Sequence, residues 1–223
     1  MIVPVYQTSH ADVITNPFYS AERFAERVRG YMRAPGFELV AAYADGVPIG
    51  QVFGYTIPPA ARWWAGLTTP VPPGFTEETG VRTFALNELM VDPGWQRRGV
   101  ARALHDELLG GRREERATLL VREDNEAAQT AYARWGWRKV AKLQPFPDAP
   151  VFDALILPLL LPRGRQNLVC VHQCAERPAS PRTGGAFACC CQAVASVMSH
   201  PCGLARFRVD VSLPGAVIAT CAR

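Results

Sequence analysis

Residues 91–109, VDPGWQRRGVARALHDELL, place two adjacent arginines and a glycine where an apolar strand gives way to a helical pattern. The first four backbone N–H groups of a helix have no intrahelical partner, and they carry partial positive charge. Gly99 would let a ligand approach these groups closely, and Ala101 is small enough to keep that approach open. The stretch therefore predicts a turn that binds phosphate groups, with further positive charge from Arg97, Arg98 and Arg102.

This turn differs from two common phosphate-binding loops. It lacks the Gly-Lys-Ser/Thr sequence of a P-loop and the Gly-x-Gly-x-x-Gly sequence of dinucleotide-binding folds. Arginines and a glycine at a helix start also occur as ordinary turn and solubility features. The interpretation as a ligand site therefore needs a second signal from the chain.

A second stretch, NEAAQTAYARW at residues 125–135, supplies that signal. Asn125 is a suitable helix N-cap, Gly136 is a suitable helix stop, and Tyr132 lies between them on the apolar face. From its position alone, Tyr132 fits a core aromatic residue beside Trp135.

Together the two stretches resemble the motifs of the GNAT family of N-acetyltransferases. The first is similar to the family's Gln/Arg-x-x-Gly-x-Gly/Ala motif through Gln96, Gly99 and Ala101. The second agrees in all four spacings with the family's Asn, Ala, Tyr and Gly-aromatic positions, which here are Asn125, Ala128, Tyr132 and Gly136-Trp137. The resemblance covers residues 84–157 through motifs and 1–162 through the order of elements.

The resemblance implies that acetyl-CoA is a cosubstrate whose pyrophosphate contacts the turn formed by Gln96, Arg97, Arg98, Gly99, Val100, Ala101 and Arg102. It also implies that Asn125 contacts the pantetheine arm, that Tyr132 protonates the departing thiolate, and that the pantetheine amides pair like an added strand with the backbone of Leu89, Met90 and Val91. The side chains of these three strand residues fit a core role, and Asn125 can cap its helix at the same time.

Glu88 is the candidate general base. It interrupts the apolar strand TFALNELMV, where a carboxylate is costly unless it faces a wet cleft. A structural ion pair is the competing interpretation, and a water molecule could serve as the base instead. Some relatives that acetylate peptide amines have a glutamate five residues before the asparagine, but that position here is Leu120. His105 is expected at the surface.

The implied reaction is transfer of an acetyl group from acetyl-CoA to a primary amine by direct transfer in a ternary complex. The acceptor stays open between small amines, aminoglycosides, amino acids and protein N-termini. Trp63, Trp64 and Phe75 lie in a Pro/Gly-rich loop over residues 58–82, where they could form a cation-binding wall or simply pack the loop. A catalytically silent acyl-CoA-binding or interaction module on the same fold is the alternative function.

The remaining patterns predict an α/β fold. A helix is expected from Ser20 to Met32, a hairpin at Asp45-Gly46, and then strand, helix, strand, helix and closing strands up to residue 157. This order indicates a mixed, mostly antiparallel sheet that is flanked by helices and has one strand–helix–strand crossover. The resemblance identifies it as the GNAT-type acyl-CoA N-acyltransferase fold.

The composition divides the chain into an N-acetyltransferase domain, residues 1–162, and a Cys/Arg-rich extension, residues 163–223. All seven cysteines lie between Cys170 and Cys221, and their spacing fits neither a zinc module nor a disulfide framework. No bound metal is therefore expected. The extension has no clear periodicity before VDVSL at residues 209–213, so we expect it to be poorly ordered.

Charge and hydropathy exclude several classes of partner. Residues 1–162 carry 17 basic and 18 acidic side chains, so the net charge of +4 comes from the extension and does not indicate nucleic-acid binding. No apolar run approaches the ~18 residues of a membrane span, and the first residues lack the features of an export signal. We therefore expect a cytoplasmic protein without nucleic-acid or membrane partners, and a homodimer stays open.

Overall fold

The centre of the fold is an eight-stranded sheet, seen in a computed structural model that describes residues 2–159, 206–213 and 216–222. Its strands are β1 (Glu38–Ala44), β2 (Val47–Thr56), β3 (Thr83–Val91), β4 (Arg116–Arg122), β5 (Arg138–Leu143), β6 (Phe152–Pro158), β7 (Arg206–Leu213) and β8 (Ala216–Ala222). They follow the order β5-β6-β4-β3-β2-β1-β8-β7. Among the described strands only the β3–β4 pair is parallel, which confirms the predicted mixed and mostly antiparallel sheet with one crossover.

In the described ranges four α-helices flank the sheet: α1 (Ile2–Ser9), α2 (Ala21–Tyr31), α3 (Val100–Gly110) and α4 (Glu126–Arg134). The predicted helices correspond to α2, α3 and α4, and the Ser20 hydroxyl caps α2 by accepting a hydrogen bond from the Arg23 backbone N–H at 3.3 Å. The sequence analysis does not predict α1, which is short and contains Pro4. No helix in the described part of the chain is long and apolar enough to cross a membrane.

Alternating side chains divide the core between the two faces of the sheet. On one face Val52 and Leu86 pack with α3 and α4 residues such as Leu104 and Tyr132. On the other face Phe53 and Met90 pack with apolar residues of α1 and α2. This alternation follows from the two-residue period of a strand. Helix α3, which begins at the predicted phosphate turn, is thereby fixed against the sheet.

The β1–β2 hairpin turns at the predicted Asp45-Gly46 pair. Both residues have positive φ, 48° and 76°, which the tight two-residue turn requires. The next strand pair contains a bulge, because Phe53 faces Glu88 whereas Gly54 faces Leu86, leaving Asn87 as an extra residue in β3. A Cβ atom on Gly54 would lie 2.2 Å from the Ala85 carbonyl oxygen, so only glycine fits opposite the bulge.

Strands β3 and β4 pair over three residues only and then diverge. Their register runs from Thr83–Arg116 to Ala85–Thr118. Beyond Ala85, β3 stays paired with β2 while β4 stays paired with β6. Within the described ranges, the β4-facing edge of β3 after Ala85 therefore has no partner strand, and the sheet opens there.

The Pro/Gly-rich loop at 58–82 is fixed on β4 by a buried carboxylate. Glu78 Oε1 accepts hydrogen bonds from Trp64 Nε1 at 2.8 Å, Thr83 Oγ1 at 2.9 Å and Arg116 Nη2 at 3.2 Å. The Arg116 guanidinium also lies 4.6 Å from the centre of the Phe75 ring. Trp64 and Phe75 therefore pack the loop, whereas Trp63 lines a cavity described below.

Two segments of the C-terminal extension, for which poor order is expected, form the strands β7 and β8. β8 pairs antiparallel with β1 from Val217–Tyr43 to Ala222–Glu38, and β7 pairs with β8. Ile218 is buried in the core beneath α3. The sequence analysis misses this hairpin because its partner strand lies more than 170 residues earlier in the chain. The rest of the extension lies outside the described residues.

Candidate active site

A cavity of about 770 Å³ occupies the opening between β3 and β4. One wall is formed by Glu88 and Leu89 of β3 and by Leu119 to Arg122 of β4. The far end includes Asn125 and Tyr132 of α4, while α1, α2 and the loops after β2 and β5 form the opposite wall. This volume lies within the usual range for small-molecule sites.

Glu88 is half-buried at the floor of this cavity, immediately after the bulge residue Asn87. Burial raises the pKa of its carboxyl group to about 7, and the Arg27 guanidinium lowers that pKa by a smaller amount. No described residue forms an ion pair with Glu88 within 4 Å, so the competing interpretation as a structural ion pair has no support there. A carboxyl group with a pKa near 7 can accept and release a proton at neutral pH.

The Tyr132 ring is buried at the α4 end of the same cavity. It makes edge-to-face contacts with Trp135 at 5.6 Å and Trp137 at 5.9 Å between ring centroids. Burial raises the pKa of the Tyr132 hydroxyl well above its ordinary value, and the nearby Glu88 carboxylate raises it further. The phenol therefore stays protonated across the neutral range, which suits a proton donor.

His105 is buried, so the expectation of a surface position is wrong. Its Nε2 accepts a hydrogen bond from Trp137 Nε1 at 3.0 Å, because an indole nitrogen can only donate. The proton of the neutral imidazole therefore sits on Nδ1, which lies 2.8 Å from Asp106 Oδ1. The imidazole also packs against Trp135 at 4.7 Å. His105 thus fixes the two tryptophans that hold the Tyr132 ring.

We predict that His105→Gln makes stability less dependent on pH between 7 and 5. Burial lowers the pKa of His105, and the Asp106 carboxylate offsets this only in part. Below about pH 6.5, the unfolded chain binds the imidazole proton more readily than the folded one, so acid destabilises the native protein. Glutamine keeps an acceptor for Trp137 but does not titrate. Melting temperatures at pH 7, 6 and 5 measure the difference, and parallel curves for both proteins would refute the prediction.

The predicted phosphate turn lies at the start of α3. Gly99 occupies the N-cap position with φ +86°, and no side chain caps the helix there. Arg97 has φ +58°, an uncommon conformation for a residue other than glycine, and is exposed. The Arg98 guanidinium lies 5.0 Å from the centre of the Trp95 ring, and Gln96 Nε2 donates to the Val91 carbonyl oxygen at 3.3 Å.

Not all residues of this turn are equally available to a phosphate. The Val100 side chain is buried in the core between α3 and the sheet, so only its backbone can face the turn. Ala101 is half-buried. Arg102 forms an ion pair with Asp106 at 2.5 Å and lies over Trp135 at 5.6 Å. Its charge is therefore partly engaged within α3.

The remaining predicted residues border the opening. Asn125 caps α4 by accepting a hydrogen bond from the Ala128 backbone N–H at 3.1 Å, and it also lines the cavity. Leu89 lines the cavity, whereas the side chains of Met90 and Val91 are buried in the two cores. The backbone of all three lies on the stretch of β3 that is unpaired on its β4 side.

The sequence analysis misses the cavity wall that faces β3. This wall carries Tyr6 from α1, Arg27 and Tyr31 from α2, and Tyr55 from β2. Burial raises the pKa of Tyr6 to about 12, and the Glu88 carboxylate contributes to this shift and to that of Tyr31. One sequence feature indicates this wall. Arg27 places a charge on α2 next to the buried Phe24 and Val28, where an apolar residue would be expected.

The cysteines, whose spacing predicts no metal site, have side chains that lie outside the described residues. In the part of the chain that is described, no group of three His, Cys, Asp or Glu side chains could hold a metal ion.

A family model, described as the acetyltransferase (GNAT) family, matches residues 6–137. A solved protein from Pyrococcus horikoshii OT3 is similar in fold, with 16% identity, coverage of 71% of this chain and 88% of the other, and a TM-score of 0.50. No curated protein matches the chain.

Two further solved structures are similar at a lower TM-score. The ribosomal-protein-S18-alanine N-acetyltransferase from Escherichia coli is 18% identical, with coverage of 74% of this chain and 92% of the other and a TM-score of 0.48. The PaiA N-acetyltransferase from Thermoplasma acidophilum, solved with coenzyme A, is 14% identical, with 70% and 90% coverage and a TM-score of 0.44. The family match spans more than half of the chain, and on that ground this protein belongs to the GNAT family of acetyltransferases.

Proposed function

We propose that this protein transfers an acetyl group from acetyl-CoA directly to a primary amine in a ternary complex. The observation that carries the proposal is that Glu88 and Tyr132 line one cavity at the opening between β3 and β4. The two groups differ widely in pKa, since Glu88 titrates near 7 while Tyr132 stays protonated. Such a pair can take up a proton at one end of a reaction and supply one at the other.

The cosubstrate would lie along the opening. Its pyrophosphate would contact the backbone N–H groups after Gly99, which no side chain caps. Its pantetheine amides would pair with the free edge of β3 at Leu89 to Val91, and Asn125 would face the arm from α4. The thioester would then reach the space between Glu88 and Tyr132.

The reaction follows from this arrangement. Glu88 removes one proton from the bound ammonium ion, which gives an amine able to attack the thioester carbon. A backbone N–H group of β3 would stabilise the oxyanion that forms. The nitrogen–carbon bond forms, a second ammonium proton leaves to solvent, and the carbon–sulfur bond breaks. Tyr132 donates its proton to the thiolate, whose own basicity is raised by the same burial. The proton held by Glu88 then returns to Tyr132 through solvent, so that each turnover releases one proton.

The first experiment measures thiol release from acetyl-CoA by the full chain in the presence of a panel of primary amines. Amine-dependent release with an acetylated product supports the proposal. Binding of acetyl-CoA without release for any amine would instead indicate the silent acyl-CoA-binding module. Failure to bind acetyl-CoA would refute both functions.

We predict that Gly99→Asp weakens acetyl-CoA binding by about 10- to 100-fold, the scale expected when charge-assisted hydrogen bonds are lost. The new carboxylate would repel the pyrophosphate and occupy its place. Gly99→Asn adds nearly the same bulk as Gly99→Asp without the charge, and asparagine tolerates the positive φ of 86° at this position. Comparing the two variants therefore isolates the effect of the charge. Gly110→Asp, at the other end of α3 where a Cβ meets nothing within 4 Å, is the matched control. Calorimetry with acetyl-CoA measures the affinities, and unchanged binding by Gly99→Asp would disprove the phosphate turn.

A further inference from the structure

The cavity wall opposite β3 presents a row of aromatic rings. Tyr31 stacks on Tyr55 with 5.5 Å between ring centroids, and Trp63 meets the Tyr55 ring edge-on at 6.5 Å. The loop that carries Trp63 is fixed by the buried Glu78–Arg116 contacts, so this ring belongs to a rigid wall. Such a surface favours an aromatic or large apolar group on the ligand.

The described residues that line the cavity include one half-buried acid, Glu88, and three arginines, Arg27, Arg122 and the exposed Arg62. Glu88 is the only carboxylate among the described residues that line it. Arg27 is half-buried on α2 and donates to the Phe18 carbonyl oxygen at 3.1 Å, and no ion pair joins it to any described acidic side chain. Arg122, by contrast, is paired with Asp124. A ligand with several ammonium groups would have one carboxylate to bind and several arginines to repel it.

Two contacts join the α2 side of the protein to the loop between β5 and β6. Arg23 forms a bidentate ion pair with Asp148, at 2.5 and 3.0 Å, which connects α2 to the loop between β5 and β6. The Phe18 and Phe146 rings approach to 6.4 Å in the same region. Phe18 and Phe146 both line the cavity, so this ring pair narrows it on the α2 side and favours a small acceptor over an extended peptide.

We propose that the acceptor is a free α-amino acid with an aromatic or large apolar side chain. Its ammonium group would face Glu88, its carboxylate would bind Arg27, and its side chain would lie on the wall formed by Tyr31, Tyr55 and Trp63. The amine would attack acetyl-CoA as described above, so this inference rests on the proposed function. The product would be the N-acetylamino acid together with free coenzyme A and one released proton.

The test compares kcat/KM for three acceptors that share a ring: L-phenylalanine, phenethylamine and L-phenylalaninamide. The two analogues lack the carboxylate, so we expect both to be poorer acceptors by about 10- to 100-fold, the scale of a charge-assisted interaction. Putrescine and a dipeptide with an N-terminal phenylalanine test the polyamine and peptide classes. Both should react more slowly than L-phenylalanine.

Arg27→Gln should remove the preference for the amino acid, with kcat/KM lost for L-phenylalanine and little change for phenethylamine. If the substitution disturbed Glu88, kcat/KM would fall equally for both acceptors. The ratio of kcat/KM for L-phenylalanine to kcat/KM for phenethylamine therefore reports carboxylate binding alone. Arg27→Lys should retain part of the preference, and Arg29→Gln, an exposed position on the same helix, should retain all of it. Melting curves verify that each variant is folded.

The possible outcomes separate the two proposals. Acetylation of phenethylamine or the dipeptide as efficiently as L-phenylalanine, or an unchanged ratio in Arg27→Gln, would overturn the amino acid assignment and leave the proposed function intact. Acetyl-CoA binding without acetylation of any of the five acceptors would also overturn it. Absence of acetyl-CoA binding would overturn the proposed function itself.

Discussion

Replacing Tyr132 by phenylalanine is expected to lower kcat by about 10²–10⁴-fold, the usual contribution of a positioned proton donor. The ring contacts with Trp135 and Trp137 are kept, because only the hydroxyl is removed. Acetyl-CoA binding and thermal stability should therefore be preserved. Loss of the proton donor leaves the thiolate to depart unprotonated from a buried site, which is unfavourable.

Single-turnover kinetics with saturating acetyl-CoA measure this effect apart from product release. Tyr43→Phe on β1, outside the residues that line the cavity, is the control for loss of a tyrosine hydroxyl. Wild-type rates in Tyr132→Phe would remove the proton-donor role and leave Tyr132 as a core residue.

The second large effect is expected for Glu88→Gln, and it depends on pH. In the wild-type protein, kcat/KM should rise through about pH 7 as the Glu88 carboxyl with its raised pKa ionises. The variant should lack this inflection and be slowest relative to wild type between about pH 7 and 9, where Glu88 is ionised but the amine is still protonated. Near pH 10 the free amine needs no base, so the two profiles should converge.

Stability distinguishes loss of the base from loss of the fold. Burial raises the pKa of Glu88 from its ordinary value of 4.5 to about 7, so the folded protein binds this proton more tightly than the unfolded chain. The carboxyl therefore destabilises the fold as pH rises from 4.5 to 7, and the neutral glutamine should raise the melting temperature at pH 8. A variant that melts lower and keeps the wild-type pH profile would show that Glu88 is structural, with water or another residue as the base.

Local signals predict much of the fold. The Asp45-Gly46 turn, the Ser20 cap and the helix that follows Gly99 each depend on residues within a few positions of one another. The sequence analysis could not predict the hairpin of β7 and β8, because its pairing with β1 joins distant parts of the chain. It also missed α1, which has no N-cap signal and contains a proline in its first turn.

The candidate site divides in the same way. Asn125 and Tyr132 belong to a motif with fixed spacing and Glu88 interrupts an apolar strand, so the sequence alone indicates these three residues, which line one cavity. The opposite wall, on which we propose that the acceptor binds, is assembled from α2, the 58–82 loop and the loop before β6, so no single stretch carries a signal for it. His105 shows the same limit, since its burial depends on Trp137, which lies 32 residues further along the chain.

The most direct test of the account is a crystal structure of the full chain with acetyl-CoA bound. We predict that the pyrophosphate contacts the backbone after Gly99, that the pantetheine arm pairs with β3 at Leu89 to Val91, and that the sulfur lies within hydrogen-bonding distance of the Tyr132 hydroxyl. Glu88 should face the thioester carbon from the acceptor side. A cofactor bound outside the opening between β3 and β4, or with its sulfur remote from Tyr132, would contradict the account.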